Sequence, residues 1–308
     1  MSLKILFMGT PDFSVPILKS IYDSNYEILS VYTQPAKKKF RGQKIISSPI
    51  QQYAEKIKLS VRCPDNLESI EEYEYIKNLR PNIAIVVAYG QIIPKKILDL
   101  PGITFLNIHA SILPKWRGAA PIQRAIMNMD KETGISIMKI VKELDAGPVM
   151  RCEKIKITNN CNYESLSKRM SVLAASTIID SLKIIERKEE KFIPQDKSLA
   201  TYAKKIYKSE SKINWRDKAN KVVAKINALH PIPGSWFEYN GARIKILKAE
   251  VVNKSGSPGE IIDNQFTVAC LENSIRILEL KKEGKKSMSA FDYLKGNKLK
   301  IGTTLDGL

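Results

Sequence analysis

The chain predicts an α/β domain on a mostly parallel sheet, followed by a small β-barrel domain. Three observations predict it. Strand and helix patterns alternate up to about residue 187, the pattern dissolves into polar and charged residues between about Lys188 and Ile206, and beyond residue 229 short strand-like pieces are separated by turns. The expected divisions are 1–188, a linker at 189–206, and 207–308. An OB-like barrel is one candidate for the last of these.

Leu3–Met8 reads as a buried strand running into Gly9-Thr10-Pro11-Asp12-Phe13, where Thr10 or Asp12 is placed to cap a helix reaching about Tyr22. This turn is not a GxGxxG fingerprint, so it implies no nicotinamide cofactor. Ile28–Tyr32 is the second strand. The loop after it carries Lys37, Lys38, Lys39, Arg41 and Lys44 around Phe40. It reads either as a solvated loop or as a flexible arm that grips phosphates. A helix starts near Pro49, an extended piece at Val61, and a helix at Glu68–Leu79 stops before Pro81. Asn82–Ala88 is a continuous apolar run, as in a central strand buried on both faces. Tyr89 and Gly90 end it, and they suit close approach of a flat ligand or make a simple turn.

The next strand starts at Ile103 and holds Asn107 and His109. Two apart on a strand, they share a face. A loop with Pro114 and Gly118 follows, and Pro121 opens a helix reaching about Met129. Ligands of open α/β sheets bind beyond the carboxyl ends of the strands, so this amide and imidazole lie where chemistry is expected. The residues alone leave it equally open that Asn107 ends a strand and His109 is structural. Trp116 and Arg117 read as loop packing or as contacts to an unpaired RNA end. Gly134–Val141 and Val149–Ile157 are extended around the turn Asp145-Ala146-Gly147-Pro148, where Asp145 in isolation reads first as a turn former. Asn162–Arg187 is one amphipathic helix with Leu166, Met170, Leu173 and Ile178 at helical spacing. In the last segment a helix at Ala219–Leu229 precedes strands at Ser235–Tyr239, Arg243–Val252, Glu260–Ile262, Phe266–Ala269 and Ile275–Leu280.

Composition narrows the function classes. No apolar run is long enough to cross a bilayer and no basic-then-apolar leader follows Met1, so a cytoplasmic protein without a membrane partner is expected. Cys63, Cys152, Cys161 and Cys270 are scattered without a CxxC pair, which suggests neither a disulfide framework nor a zinc site. His109 and His230 are the two histidines and belong to no ligand cluster, so no metal is implied. The formal net charge is +18, and residues 206–308 hold more than a third of that excess in a third of the chain. Such a surplus attracts nucleic acid or simply keeps a lysine-rich surface solvated.

Several stretches together resemble the methionyl-tRNA formyltransferase family. They are Phe7–Phe13, Val87-Ala88-Tyr89-Gly90 with Pro94, the long run from Asn107-Ile108-His109 through Ser111 to Gln123, and Leu144-Asp145-Ala146-Gly147. Later come Ala203 and Lys204, Ile213-Asn214-Trp215, Pro231-Ile232-Pro233-Gly234, Pro258-Gly259-Glu260-Ile261 and Gly284–Met288. The resemblance runs nearly end to end, and the Asn107–Gln123 run is its most specific part. It implies a Rossmann-like formyltransferase domain, a linker and an OB-like, tRNA-binding C-terminal domain. The activity it implies is transfer of a formyl group from 10-formyltetrahydrofolate, the co-substrate, to the α-amine of methionyl initiator tRNA, by a monomer. Carried over by position, Asn107, His109 and Asp145 match the catalytic trio. Tyr89, Gly90 and Ser111, Ile112, Leu113 and Pro114 border the folate site. Arg41, with Lys37, Lys38 and Lys39, sits where the family's loop meets the tRNA acceptor end. Departures are the lysines where relatives show Asp, Pro and Gly before that arginine, Asn214 in place of an Asp, and Lys281 in place of a glutamine.

The chemistry asks for such residues. An amine attacks a formyl carbon without a covalent enzyme intermediate, an amide N–H such as that of Asn107 stabilises the developing oxyanion, and a histidine handles the protons while a carboxylate orients it. A glycinamide ribonucleotide transformylase-like enzyme uses the same kind of trio but leaves the basic second domain unexplained. A formyltetrahydrofolate hydrolase needs no tRNA-binding surplus either. A non-catalytic RNA-binding protein predicts a damaged trio.

Overall fold

The computed structural model describes residues 3–39, 44–159, 161–239, 241–297 and 299–305, with the backbone alone for 37–39 and 44. The chain divides into two compact units.

The first unit, Met1–Gly118, Thr133–Ile155 and Ser167–Tyr202, holds a seven-stranded sheet. Its order is Val149–Lys156, Glu132–Lys139, Thr104–His109, Ile83–Val87, Lys4–Gly9, Glu27–Tyr32, Val61–Arg62. The five strands from Thr104–His109 to Val61–Arg62 run parallel, and Glu132–Lys139 joins them antiparallel. This is the mostly parallel, Rossmann-like sheet expected from the alternating pattern. Ile83–Val87 is buried at every residue, as an apolar run between two covered faces must be. From Lys4–Gly9 the chain builds outward to Val61–Arg62 and then returns to build the other side from Ile83–Val87. The order therefore reverses between Lys4–Gly9 and Ile83–Val87, the kind of place where ligands of open α/β sheets bind, beyond the carboxyl ends of the strands.

Helix signals act as capping chemistry requires. The Ser48 and Ser69 hydroxyls accept from the Gln51 and Glu72 amides and start Pro49–Lys56 and Ile70–Leu79. The expected Thr10 or Asp12 cap is corrected: the helix Val15–Asp23 has no side-chain cap, and the hydroxyls just ahead of it bond to strand ends instead. Thr10 Oγ1 donates to the Tyr89 carbonyl at 2.8 Å and Ser14 Oγ to the Val87 carbonyl at 2.7 Å. Both bonds tie the two strand ends at the reversal to each other. In the long helix Tyr163–Glu186, Met170, Ala174, Ile178 and Leu182 are buried at spacings of four, one face of an α-helix. Lys37–Lys39 and Lys44–Ile46 form an antiparallel pair within the basic loop, with Lys37 opposite Ile46 and Lys39 opposite Lys44.

The second unit is Ala119–Glu132, Lys156–Leu166 and Ala203–Leu308. Its antiparallel sheet runs Ser235–Tyr239, Ala242–Val252, Ser274–Lys282, Thr267–Ala269, with Met288–Ser289 also on Ser274–Lys282. Of the expected Glu260–Ile262 strand only single bridges form, Glu260 with Thr304 and Ile261 with Val268. An aromatic series Trp215, Phe237, Phe266, Tyr293 runs through the core with centroids 5.8, 6.1 and 5.8 Å apart. Helix Pro121–Met127 joins this unit because Ile122, Ala125 and Ile126 are buried and Arg124 pairs with Glu210 at 2.8 Å. Hydrogen bonding to Arg124 holds the Glu210 carboxyl below its ordinary range. Helix Ala290–Gly296, which carried no recognised sequence signal, starts at a Ser289 side-chain cap.

Candidate active site

Thr104–His109 carries Asn107, half-buried, and His109, buried, at its carboxyl end. After Glu132–Lys139 the chain turns sharply at Asp145, whose φ of +46° lies in the left-handed region. That turn brings Asp145 against both earlier residues. Asn107 Nδ2 donates to Asp145 Oδ1 at 3.2 Å, and His109 Nδ1 stands 3.6 Å from Asp145 Oδ2. The Gly118 amide also donates to Oδ2, at 2.8 Å. The carboxylate side chain is only 12% exposed, so these partners replace most of its water. His109 Nε2 is 2.9 Å from the Trp116 carbonyl oxygen. A carbonyl accepts only, so Nε2 carries the hydrogen and Nδ1 is the nitrogen left to exchange a proton.

The loop between His109 and Gly118 is braced from inside. Ser111 Oγ donates to the Lys115 carbonyl at 2.6 Å, and Ser136 Oγ to the Ser111 carbonyl at 2.7 Å. The Leu113 amide donates to Ser136 Oγ at 3.1 Å. Two of the residues expected to border a ligand have buried side chains. The Ser111 hydroxyl is fully buried and spent on the loop itself. The Tyr89 ring is 1% exposed, packed with Leu6, Val86 and Phe105, and its hydroxyl donates to Gln91 Oε1 at 3.0 Å. Burial raises the Tyr89 phenol above its ordinary pKa. Gly90 is exposed with φ +81°, Ile112 and Pro114 are half-buried, and Leu113 is buried. Arg117 resolves to packing: it is 1% exposed, and its Nε and Nη2 donate to Gln195 Oε1 at 3.1 and 2.9 Å. Arg41 lies outside the described residues, and Lys37, Lys38 and Lys39 lie on the paired backbone of the basic loop.

Sequence reading missed the contribution of residues 192–202, expected as a linker. Ile193 exchanges both backbone hydrogen bonds with Val149, Thr201 Oγ1 accepts from the Trp116 amide at 2.9 Å, and the Thr201 carbonyl accepts from the Arg117 amide at 2.9 Å. Gln195 Nε2 donates to the Asp145 and Gly147 carbonyls at 2.9 and 2.7 Å. The signal was weak: two short uncharged runs, Phe192-Ile193-Pro194-Gln195 and Ser198-Leu199-Ala200-Thr201-Tyr202-Ala203, inside an otherwise charged stretch.

The second unit carries a basic groove of about 590 Å³ lined by Lys208, Trp236, Arg243, Lys245, Lys281 and Lys282. The Arg243 guanidinium lies 3.8 Å above the Trp236 ring, a cation–π contact that holds it in place. Burial, and then the nearby Lys281 and Arg243 charges, lower the Lys245 ammonium below its ordinary pKa. Among the described residues no group of three or more His, Cys, Asp or Glu side chains is arranged to hold a metal ion. No described helix is long and apolar enough to cross a membrane.

Residues 3–182 match the formyl transferase family and residues 205–298 the formyl transferase C-terminal domain family. The methionyl-tRNA formyltransferase of Pelagibacter ubique is 51% identical over 99% of both chains. Among solved structures, an N-formyltransferase from Helicobacter canadensis, in complex with folinic acid and dTDP-3-aminofucose, superposes with a TM-score of 0.68 at 18% identity, covering 90% of this chain and 99% of that one. Methionyl-tRNA formyltransferase from Clostridium thermocellum superposes with a TM-score of 0.57 at 18% identity, covering 82% and 95%. With two family matches along its length and a full-length relative at that identity, the chain belongs to the methionyl-tRNA formyltransferase family.

Proposed function

We propose that the protein transfers a formyl group from 10-formyltetrahydrofolate to the α-amine of methionine carried by initiator tRNA, as a cytoplasmic monomer serving translation initiation. The observation that carries this reading is Asp145, whose two oxygens meet Asn107 and His109 in a chain alike from end to end with a relative of that name.

The formyl donor supplies a carbonyl carbon open to attack by an amine. Asn107 Nδ2 gives one hydrogen to Asp145 and has a second, fixed in direction by the first, to offer a developing oxyanion. Asp145 holds that amide while facing His109 Nδ1, so a proton taken at Nδ1 meets a carboxylate. Trp116 O keeps the imidazole from turning over. The half-buried and buried apolar residues Ile112 and Leu113 border the site and limit water, which would divert formyl transfer into hydrolysis. The folate is assigned to the strand reversal, where Ala88 (φ +47°) and Gly90 bend the backbone away from Ile83–Val87.

The test offers purified protein labelled 10-formyltetrahydrofolate with charged initiator tRNA, with glycinamide ribonucleotide, and with water alone. Label is expected on the aminoacyl-tRNA. Transfer to glycinamide ribonucleotide, release as formate, or no turnover overturns the reading. The tRNA backbone is assigned to the basic loop and to the groove around Trp236. Arg243→Ala, or replacing Lys37, Lys38 and Lys39 together by Gln, is expected to raise KM for tRNA and flatten its salt dependence, with kcat little changed. A salt slope equal to wild type removes that residue or loop from the tRNA surface.

A further inference from the structure

We propose that Gln195 is a positioning residue for Asp145, holding the catalytic carboxylate in place from a segment that composition marks as a connector. The proposal deepens the formyl-transfer reading and rests on it.

Asp145 sits in a left-handed backbone conformation, which Asp tolerates better than most residues with a Cβ but which surrounding hydrogen bonds still have to hold in place. Its neighbours Val141, Lys142, Glu143 and Leu144 are exposed and lie in no helix or strand, so the turn has little packing of its own. Gln195 supplies what packing does not. Its Nε2 spends both hydrogens on the turn, one on the Asp145 carbonyl at 2.9 Å and one on the Gly147 carbonyl at 2.7 Å. Its Oε1 accepts twice from the buried Arg117 guanidinium, whose Nη1 reaches Glu143 Oε1 at 3.4 Å. Two acceptors on one side and a guanidinium on the other fix which way the amide points.

The network therefore closes a ring around the reaction centre. Arg117 precedes Gly118, whose amide donates to Asp145 Oδ2, and it holds Gln195, which holds the Asp145 backbone. Asp145 is gripped at its side chain from one end of the ring and at its main chain from the other. A shift of an ångström at such a carboxylate, with no loss of any group that touches substrate, costs up to about 10²-fold in rate.

Gln195→Glu is the informative substitution. It keeps an acceptor for Arg117, so the buried guanidinium stays paired, and it replaces the donor by an oxygen facing two carbonyls. Gln195→Ala is the second variant, in case the added charge prevents folding. Steady-state formylation of charged initiator tRNA is measured for wild type, Gln195→Glu, Asp145→Ala and the double variant. The expected result is a kcat lowered by ten- to a hundredfold in Gln195→Glu, a KM for tRNA within twofold of wild type, and no further loss when Asp145 is already Ala. A kcat within twofold of wild type overturns the proposal. So does an equal loss in the Asp145→Ala background, because then Gln195 does not act through Asp145. Wild-type protein that formylates no tRNA would instead overturn the function proposed above.

Discussion

Asn107→Ala is expected to lower kcat for formyl transfer by about 10²–10³-fold, the usual cost of removing one preorganised oxyanion donor. Two losses combine in this variant. The hydrogen proposed for the oxyanion disappears, and Asp145 Oδ1 loses the Asn107 Nδ2 bond that helps fix it. KM for tRNA should stay within about threefold, because the basic surfaces assigned to the backbone are untouched. Asn107→Asp is the sharper control. It is close to isosteric, yet it sets a second carboxyl within hydrogen-bond range of Asp145, where two like charges resist ionising together. Its rate should fall at least as far as that of the alanine variant. Steady-state kinetics with both variants check this, and a loss below tenfold in both would remove Asn107 from the chemistry.

Gly147→Ala is expected to lower stability by about 1–3 kcal/mol through overpacking, and to lower kcat with it. The glycine is required by close approach rather than by its own dihedral. A Cβ at this position would overlap the Lys139 carbonyl oxygen, and a backbone atom cannot swing aside as a side-chain tip can. The strand end and the turn are pinned together there, since the Lys139 amide donates to the Pro148 carbonyl at 3.0 Å and Gly147 O accepts from Gln195. Relief of the overlap must move the turn, and Asp145 moves with it. Urea unfolding and formylation kinetics read the two effects on one sample. Gly296→Ala is the matched control: a Cβ there meets nothing within 4 Å at the end of helix Ala290–Gly296, so stability should hold or rise slightly.

Much of the fold was legible in the sequence because period and punctuation agreed. Ile83–Val87 announced itself as a central strand by an unbroken apolar run, and Ala219–Leu229 as a helix running up to the turn residues His230-Pro231, and each formed in the fold where expected. What failed had local and tertiary uses competing for one residue. Thr10 has the chemistry of a cap, but its hydroxyl is used 79 residues away on the Tyr89 carbonyl. Tyr89 follows a strand whose faces are both buried, so no alternation existed to say which way its ring would turn, and it went into the core. Asn107 and His109 were brought to one place by strand period alone. The meeting with Asp145 depends on an antiparallel strand returning beside them, and that pairing has no local signal. Gln195 was invisible for the same reason, since it is 50 residues from Asp145 and lies in a largely charged stretch with no periodic pattern.

The strap from Ile193 to Thr201 also bears on how proteins of this design are recombined. A fusion that exchanges the C-terminal part at the apparent composition boundary near residue 188 would carry away Gln195 and Thr201, and with them the supports of the Asp145 turn and of the Trp116–Arg117 backbone. Chimaeras joined after Tyr202 keep those supports with their own turn, so shuffled genes are expected to yield active hybrids from the later crossover and inert ones from the earlier.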